Sequence, residues 1–167
     1  MGTWVRVSGK IDVGVDCLYH RNELSPYRYE DYKRVQSVIK KWIERAYRKH
    51  LFKGLGLDCY CGVTFDEQSA YHSNYEYLYD CTGQNRYDIT RYDGLTIYLN
   101  VWDRNGLLSD GEKFVGTVLQ ILKSNQCFVR DTTMINVTAD YAPEQLIVST
   151  GNKPVELTVK QWGYDGQ

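Results

Sequence analysis

Three histidines and five cysteines are the side chains in this 167-residue sequence that could carry nucleophilic or metal chemistry. Cys59-x-Cys61, with His72 and Cys81, is its one gathering of soft ligands. On a strand Cys59 and Cys61 project to the same side, but a one-residue gap is narrower than the roughly two-to-four-residue spacing of zinc knuckles. The pattern reads as core cysteine, so no metal and no cofactor are expected. Nucleophilic catalysis needs a base beside the nucleophile. His50 lies in a basic helix and reads as surface, while His20 stands in a polar loop between Tyr19 and Arg21. His72, beside Tyr71, is the histidine that admits an acid–base role, with Asp66 or Glu67 as its partner. No phosphate-cradling glycine loop, two-histidine phosphoesterase pair or nucleophile elbow is present. The sequence singles out no catalytic residue, and an enzyme is the weakest of its readings.

Tyrosine is concentrated instead. Seven of the fifteen tyrosines fall within Tyr71–Tyr98. Each offers a large, stiff contact surface with a hydroxyl that can still find water or a partner. Tyr75, Tyr77 and Tyr79 share one side of a strand. Tyr98 and Trp102 share one side of another, opposite Leu95, Ile97, Leu99 and Val101. If the aliphatic side takes the helices, the aromatic side becomes the outer face of a sheet. Such a face can stack nucleobases or bind a protein. It can equally pack beneath loops or against a second copy of the chain.

Charge is segregated along the sequence. Nine bases against three acids lie between Arg28 and Lys53, and ten acids against three arginines between Asp58 and Glu112. The basic helix offers Lys40, Lys41, Arg45 and Arg48 to phosphate or to an acidic partner, or simply to solvent. The acidic block is spread over loops and strands and reads as a solubility feature. A formal net charge of -1 excludes both a heavily acidic DNA mimic and a general nucleic-acid binder, so long duplex nucleic acid is not an expected partner.

These residues need elements to hold them. Val5, Val7, Ile11 and Val13 alternate with Arg6, Ser8, Lys10 and Asp12, which predicts a half-buried strand. A loop, Cys17–Leu24, leads to Ser25-Pro26 as a helix start. Tyr32, Val35, Val38, Ile39, Trp42, Ala46 and Tyr47 then form an amphipathic stripe ending near Gly54. Strands are expected at Leu57–Phe65, Tyr75–Cys81, Arg86–Arg91 and Leu95–Trp102, with turns at Thr82–Asn85 and Asp93-Gly94. Ser109-Asp110-Gly111-Glu112 reads as a capping box before a second helix lined by Phe114, Val115, Val118, Leu119 and Leu122. Cys127–Ala139, Gln145–Thr150 and Val155–Trp162 complete the strands, with Ala142-Pro143 between the first two.

Two helices with one face each to bury, and more strands than helices, predict an α+β fold. The expected form is an antiparallel sheet with both helices on one face, ferredoxin-like with extra strands, as one domain over residues 1–167. The apolar fraction of 43% suffices for a self-standing core, and no segment approaches the length of a membrane span. Met1–Val13 reads as strand rather than signal peptide, and the odd cysteine number suits reduced thiols, so a cytoplasmic setting is expected.

The opening Thr3-Trp4-Val5-Arg6-Val7-Ser8-Gly9-Lys10-Ile11-Asp12 resembles small tailed-bacteriophage proteins that begin with a Trp-Val strand and an Ile-Asp step. Ile97-Tyr98-Leu99-Asn100-Val101-Trp102-Asp103, with the polar turn, helix and strand behind it, is similar in layout to their second half. His72-Ser73-Asn74 stands where that group carries a glycine-serine segment. The resemblance implies a phage origin and no activity. Three expectations follow. The first is a phage or mobile-element accessory protein that binds and inhibits a host defence protein. The second is a binder of a small nucleotide signal or short nucleic acid through the tyrosine face. The third is an enzyme using His72.

Overall fold

The computed structural model describes residues 3–52, 56–66, 72–79, 86–148 and 158–161, giving the backbone alone for 72–79, 86–90, 142–144, 146 and 158–161. Its centre is β1 (Trp4–Gly14), where Val5, Val7, Ile11 and Val13 are fully buried. β5 (Gly94–Arg104) pairs with β1 antiparallel from Trp4 opposite Arg104 to Gly14 opposite Gly94. β2 (Cys59–Asp66) lies on the far side of β5, and β7 (Met134–Ala139) on the other side of β1. β8 (Ala142–Val148) and β9 (Thr158–Gln161) extend the sheet to the order β2-β5-β1-β7-β8-β9, and β6 (Phe128–Val129) pairs with the end of β1. At Gly9 the chain turns to φ 137°, and a Cβ there would stand 2.2 Å from the Met134 carbonyl oxygen. Only glycine fits that close approach.

Two amphipathic helices cover one face of the sheet. α2 (Tyr29–His50) buries Tyr32, Val35, Ile39, Ile43, Ala46 and Tyr47, and α3 (Leu108–Ser124) buries Phe114, Val115, Val118, Leu119 and Leu122. These side chains form one core cluster with Val5, Val7, Leu95, Ile97, Leu99, Val101, Ile135 and Val137 from the strands. The fold is α+β, an antiparallel sheet with its helices on one face.

Several boundaries differ from the sequence reading. Part of the expected loop Cys17–Leu24 is a short helix, α1 (Asp16–Arg21), formed because Leu18 and Tyr19 reach into the core. Asp16 in its first turn and Arg21 in its last suit the helix dipole. Ser25-Pro26 does not start α2. Residues 25–28 make a turn, the helix begins at Tyr29, and Asp31 in its first turn accepts the Ser25 N–H at 2.9 Å. α2 ends at His50, short of Gly54. In α3 the Asp110 carboxylate accepts the Leu107 N–H at 2.9 Å, so the cap lies two residues ahead of Ser109. β8 includes the Ala142-Pro143 step that was expected to separate strands.

The tyrosine-rich segment stands apart. β3 (His72–Tyr79) and β4 (Arg86–Tyr92) pair with each other as a separate two-stranded sheet, inserted between β2 and β5 at their Asp66–Thr96 end. The expected turn Thr82–Asn85, like Glu67 and Cys81, lies outside the described residues. The hairpin rejoins the body at Tyr92, whose N–H donates to the Pro26 carbonyl at 2.8 Å and whose ring stacks on Tyr32 with centroids 4.8 Å apart.

The expected strand Cys127–Ala139 is interrupted, and the interruption buries a charge. Residues 130–133 turn over the end of β1 and enclose Asp12 on the face away from the helices. The Asp12 carboxylate accepts from the Thr96 hydroxyl at 2.7 Å and from the Thr132 hydroxyl, and pairs with Lys10 at 3.4 Å. Its backbone N–H donates to the Thr133 hydroxyl at 3.0 Å. Burial alone would raise the Asp12 pKa. The Thr132 and Thr96 hydrogen bonds and the Lys10 charge outweigh it and hold the carboxyl below its ordinary value. A carboxyl lowered in the folded state adds stability above its unfolded value of about 3.9, and that stability is lost as pH falls through the folded value. Asp12→Asn should therefore cost about 1–3 kcal/mol at neutral pH through unsatisfied partners. It should also flatten the loss of stability below about pH 4 in urea melts across pH.

Candidate functional site

The face of the sheet opposite the helices carries the exposed aromatic residues. Alternation along β1, β2, β5 and β7 sends their aliphatic residues to the core and the intervening ones outward. The pairing registers arrange the outward residues in rows. Tyr60, Trp102, Arg6 and Thr138 lie side by side across the four strands. Gly62, Asn100, Ser8 and Asn136 form the next row, and Thr64, Tyr98, Lys10 and Met134 the third. Residues opposite one another in such a ladder stand about 5 Å apart, so each row sets its members side by side.

The first row holds the strongest aromatic contact. The Tyr60 and Trp102 rings lie 4.5 Å apart between centroids at an interplanar angle of 35°. Gly62 makes room for this, since a Cβ there would meet the Tyr60 ring at 2.6 Å. The Trp102 indole N–H donates to the Leu57 carbonyl at 3.3 Å and the Tyr98 hydroxyl donates to the Asp66 carboxylate at 3.4 Å. Both ring systems are thus oriented; Tyr98 is 40% exposed and Tyr60 48%, while Trp102 is part-buried between its neighbours. At the flank the Arg104 guanidinium lies 5.8 Å from the Trp4 ring centroid and pairs with Asp58 at 3.4 Å.

The structure brings together some of the residues the sequence proposed and separates others. Tyr98 and Trp102 share the outer face of the main sheet. Tyr75, Tyr77 and Tyr79 belong to β3, in the separate hairpin, and their side chains lie outside the described set. Lys40, Lys41, Arg45 and Arg48 are exposed on α2, across the sheet from Trp102, so they cannot hold a phosphate while Tyr98 and Trp102 stack its base. Lys40 and Arg48 act instead at the β2 edge, where their charges and that of Glu44 reach Cys61. The cations on the aromatic face are Arg6, Lys10 and Arg104. Alternation in β1 already pointed Arg6 and Lys10 away from the core, but their pairing with Trp102 and Tyr98 depends on strand register, which local pattern does not encode.

Burial pushes the Cys61 thiol up to about 12, so it offers no thiolate near neutral pH, and Cys59 packs with it against the core. His20 is exposed on α1, and His50 is half-buried on α2 with Nε2 2.7 Å from the Thr117 hydroxyl. His72 opens β3, and its side chain lies outside the described set. Among the described residues no group of three His, Cys, Asp or Glu side chains could hold a metal ion, and no helix is long and apolar enough to cross a membrane.

If the Tyr60–Trp102 contact organises the face, a double-mutant cycle on thermal melts with Tyr60→Ala and Trp102→Ala should give a coupling of about 0.5–1.5 kcal/mol. Strict additivity would show two rings that merely lie near one another. Compared with known proteins, the chain matches no family model, no curated protein and no solved structure.

Proposed function

We propose that this protein acts by binding another protein through the outer face of its sheet. The contact between the exposed Tyr60 ring and the part-buried Trp102 indole carries this reading. Large aromatic side chains with Arg and Met between them are the composition of interface hot spots. Around the Tyr60–Trp102 contact two of the three cations are paired, Lys10 with Asp12 and Arg104 with Asp58, leaving Arg6. A polyanion would find little to neutralise here, whereas a protein needs apolar area with oriented polar groups around it. The role we assign is that of a phage or mobile-element accessory protein working in the host cytoplasm by blocking a defence component. The resemblance of the segment Thr3–Asp12 supports that assignment.

A second reading has its own observation. Arg6 stands opposite Trp102 and Lys10 opposite Tyr98, so the face twice sets a cation beside a ring. That combination suits a small nucleotide, with a base stacked and a phosphate near Arg6.

Capture from host lysate with wild type, Tyr60→Ala, Trp102→Ala and the helix-side control Lys41→Ala separates these readings. A protein partner should be retained stoichiometrically by wild type and by Lys41→Ala. Either aromatic substitution should weaken it by about 2 kcal/mol, roughly thirtyfold in Kd. Equal retention by all four proteins would sink the sheet-face assignment. Thermal stabilisation by a nucleotide that disappears in Trp102→Ala, with no protein retained, would establish the second reading in its place.

A further inference from the structure

On the helix side of the sheet, α2 and α3 leave a groove of about 590 Å³ between them, within the range of small-molecule sites. Its walls carry charge of one sign. Lys49 and His50 come from the last turn of α2 and Lys113 from the second turn of α3. No carboxylate lines the groove, and neither Lys49 nor Lys113 takes part in an ion pair among the described residues. In a chain of net charge -1 two unpaired lysines converging on one groove mark a local excess of positive charge. Thr117, Gln120 and Asn125 add hydroxyl and amide groups beside the cations, with Gln120 donating to the Ser124 hydroxyl at 3.3 Å and Asn125 to the Ile121 carbonyl at 2.8 Å. Ile121 supplies apolar surface, and Gly116 leaves the wall without a side chain.

We infer that this groove binds a small phosphate-bearing molecule of about mononucleotide size, with its phosphate between Lys49, His50 and Lys113. Cations that converge without carboxylates suit a compact dianion, and the neighbouring amides and apolar patch suit the organic part of an ester. The site is on the opposite side of the sheet from the Tyr60–Trp102 stack and does not depend on the reading of that face.

His50 reports on occupancy. Its Nε2 lies 2.7 Å from the Thr117 hydroxyl. Burial, and then the charges of Lys49 on its own helix and Lys113 on α3, hold its pKa below the ordinary value, with Asp110 acting weakly the other way. An anion between the two lysines offsets their field and raises that pKa. By linkage the protonated imidazole binds a given ionic form of the anion more tightly than the neutral one.

The experiment follows the His50 ring resonances by NMR during titration with inorganic phosphate, pyrophosphate and AMP, with sodium chloride at matched ionic strength as control. Pyrophosphate and AMP should saturate and raise the His50 pKa by about half a unit or more, equivalent to roughly threefold tighter binding to the protonated form. The double variant Lys49→Gln, Lys113→Gln alters two exposed side chains, should fold normally, and should lose the response. The inference is overturned if chloride reproduces the shift, if the double variant responds like wild type, or if AMP does not saturate.

Discussion

The strict alternation along the paired strands β1 and β5 governs the whole molecule. Val5, Val7, Ile11 and Val13 on one strand and Leu95, Ile97, Leu99 and Val101 on the other turn to the same side, and all eight are buried. A sheet with one aliphatic face must cover that face, and α2 and α3 do so with stripes of matching width. A one-residue slip of β1 against β5 would send Val5, Val7, Ile11 and Val13 outward. Two local devices oppose that slip. Gly9 admits the Met134 carbonyl where no other residue could, and the Asp12 carboxylate ties β1 to Thr96 on β5 and Thr132 ahead of β7.

The second face follows from the first. Each buried aliphatic residue on β5 has an outward neighbour, and on this strand those neighbours include Tyr98, Asn100 and Trp102. With both long helices committed to the core, the outward row takes its company from the adjacent strands: Tyr60 from β2, Arg6 and Lys10 from β1, Met134 from β7. Aromatic area and internal ion pairing on that face leave it strong in contact surface and weak in net field. Lys49 and Lys113, in contrast, take part in no ion pair among the described residues on the helix side. The two sides of the sheet therefore offer different chemistry, one suited to a protein surface and one to a compact anion.

Much of the architecture was legible in the sequence because it is written in local periodicity. The valines of β1, the alternation Leu95–Trp102 and the stripes of α2 and α3 each need only neighbouring residues to be read. The helix α1 was missed because six residues hold too few turns to show a period, and its stability rests largely on the burial of Leu18 and Tyr19 against distant elements. The break after Val129 was missed because it answers to Asp12, more than a hundred residues earlier. The candidate site divided in the same way. Tyr98 and Trp102 were readable from alternation within one strand. Their companions Tyr60, Arg6 and Lys10 required the register between strands, and the assignment of Lys40, Lys41, Arg45 and Arg48 to the same surface failed because helix and aromatic row occupy opposite sides of the sheet.

The central claim is that one face of β5 is core and the other is contact surface, and adjacent residues on that strand test it most directly. Urea melts of Leu99→Ala and Tyr98→Ala compare the two faces at one point of the backbone. The account predicts a loss of about 2–5 kcal/mol for Leu99→Ala, from lost burial and the cavity left behind. It predicts a change of about 1 kcal/mol or less for Tyr98→Ala, whose ring is exposed and whose hydroxyl bond to Asp66 lies at the surface. Equal losses at the two positions would mean that the aromatic side is also core, and would contradict the account.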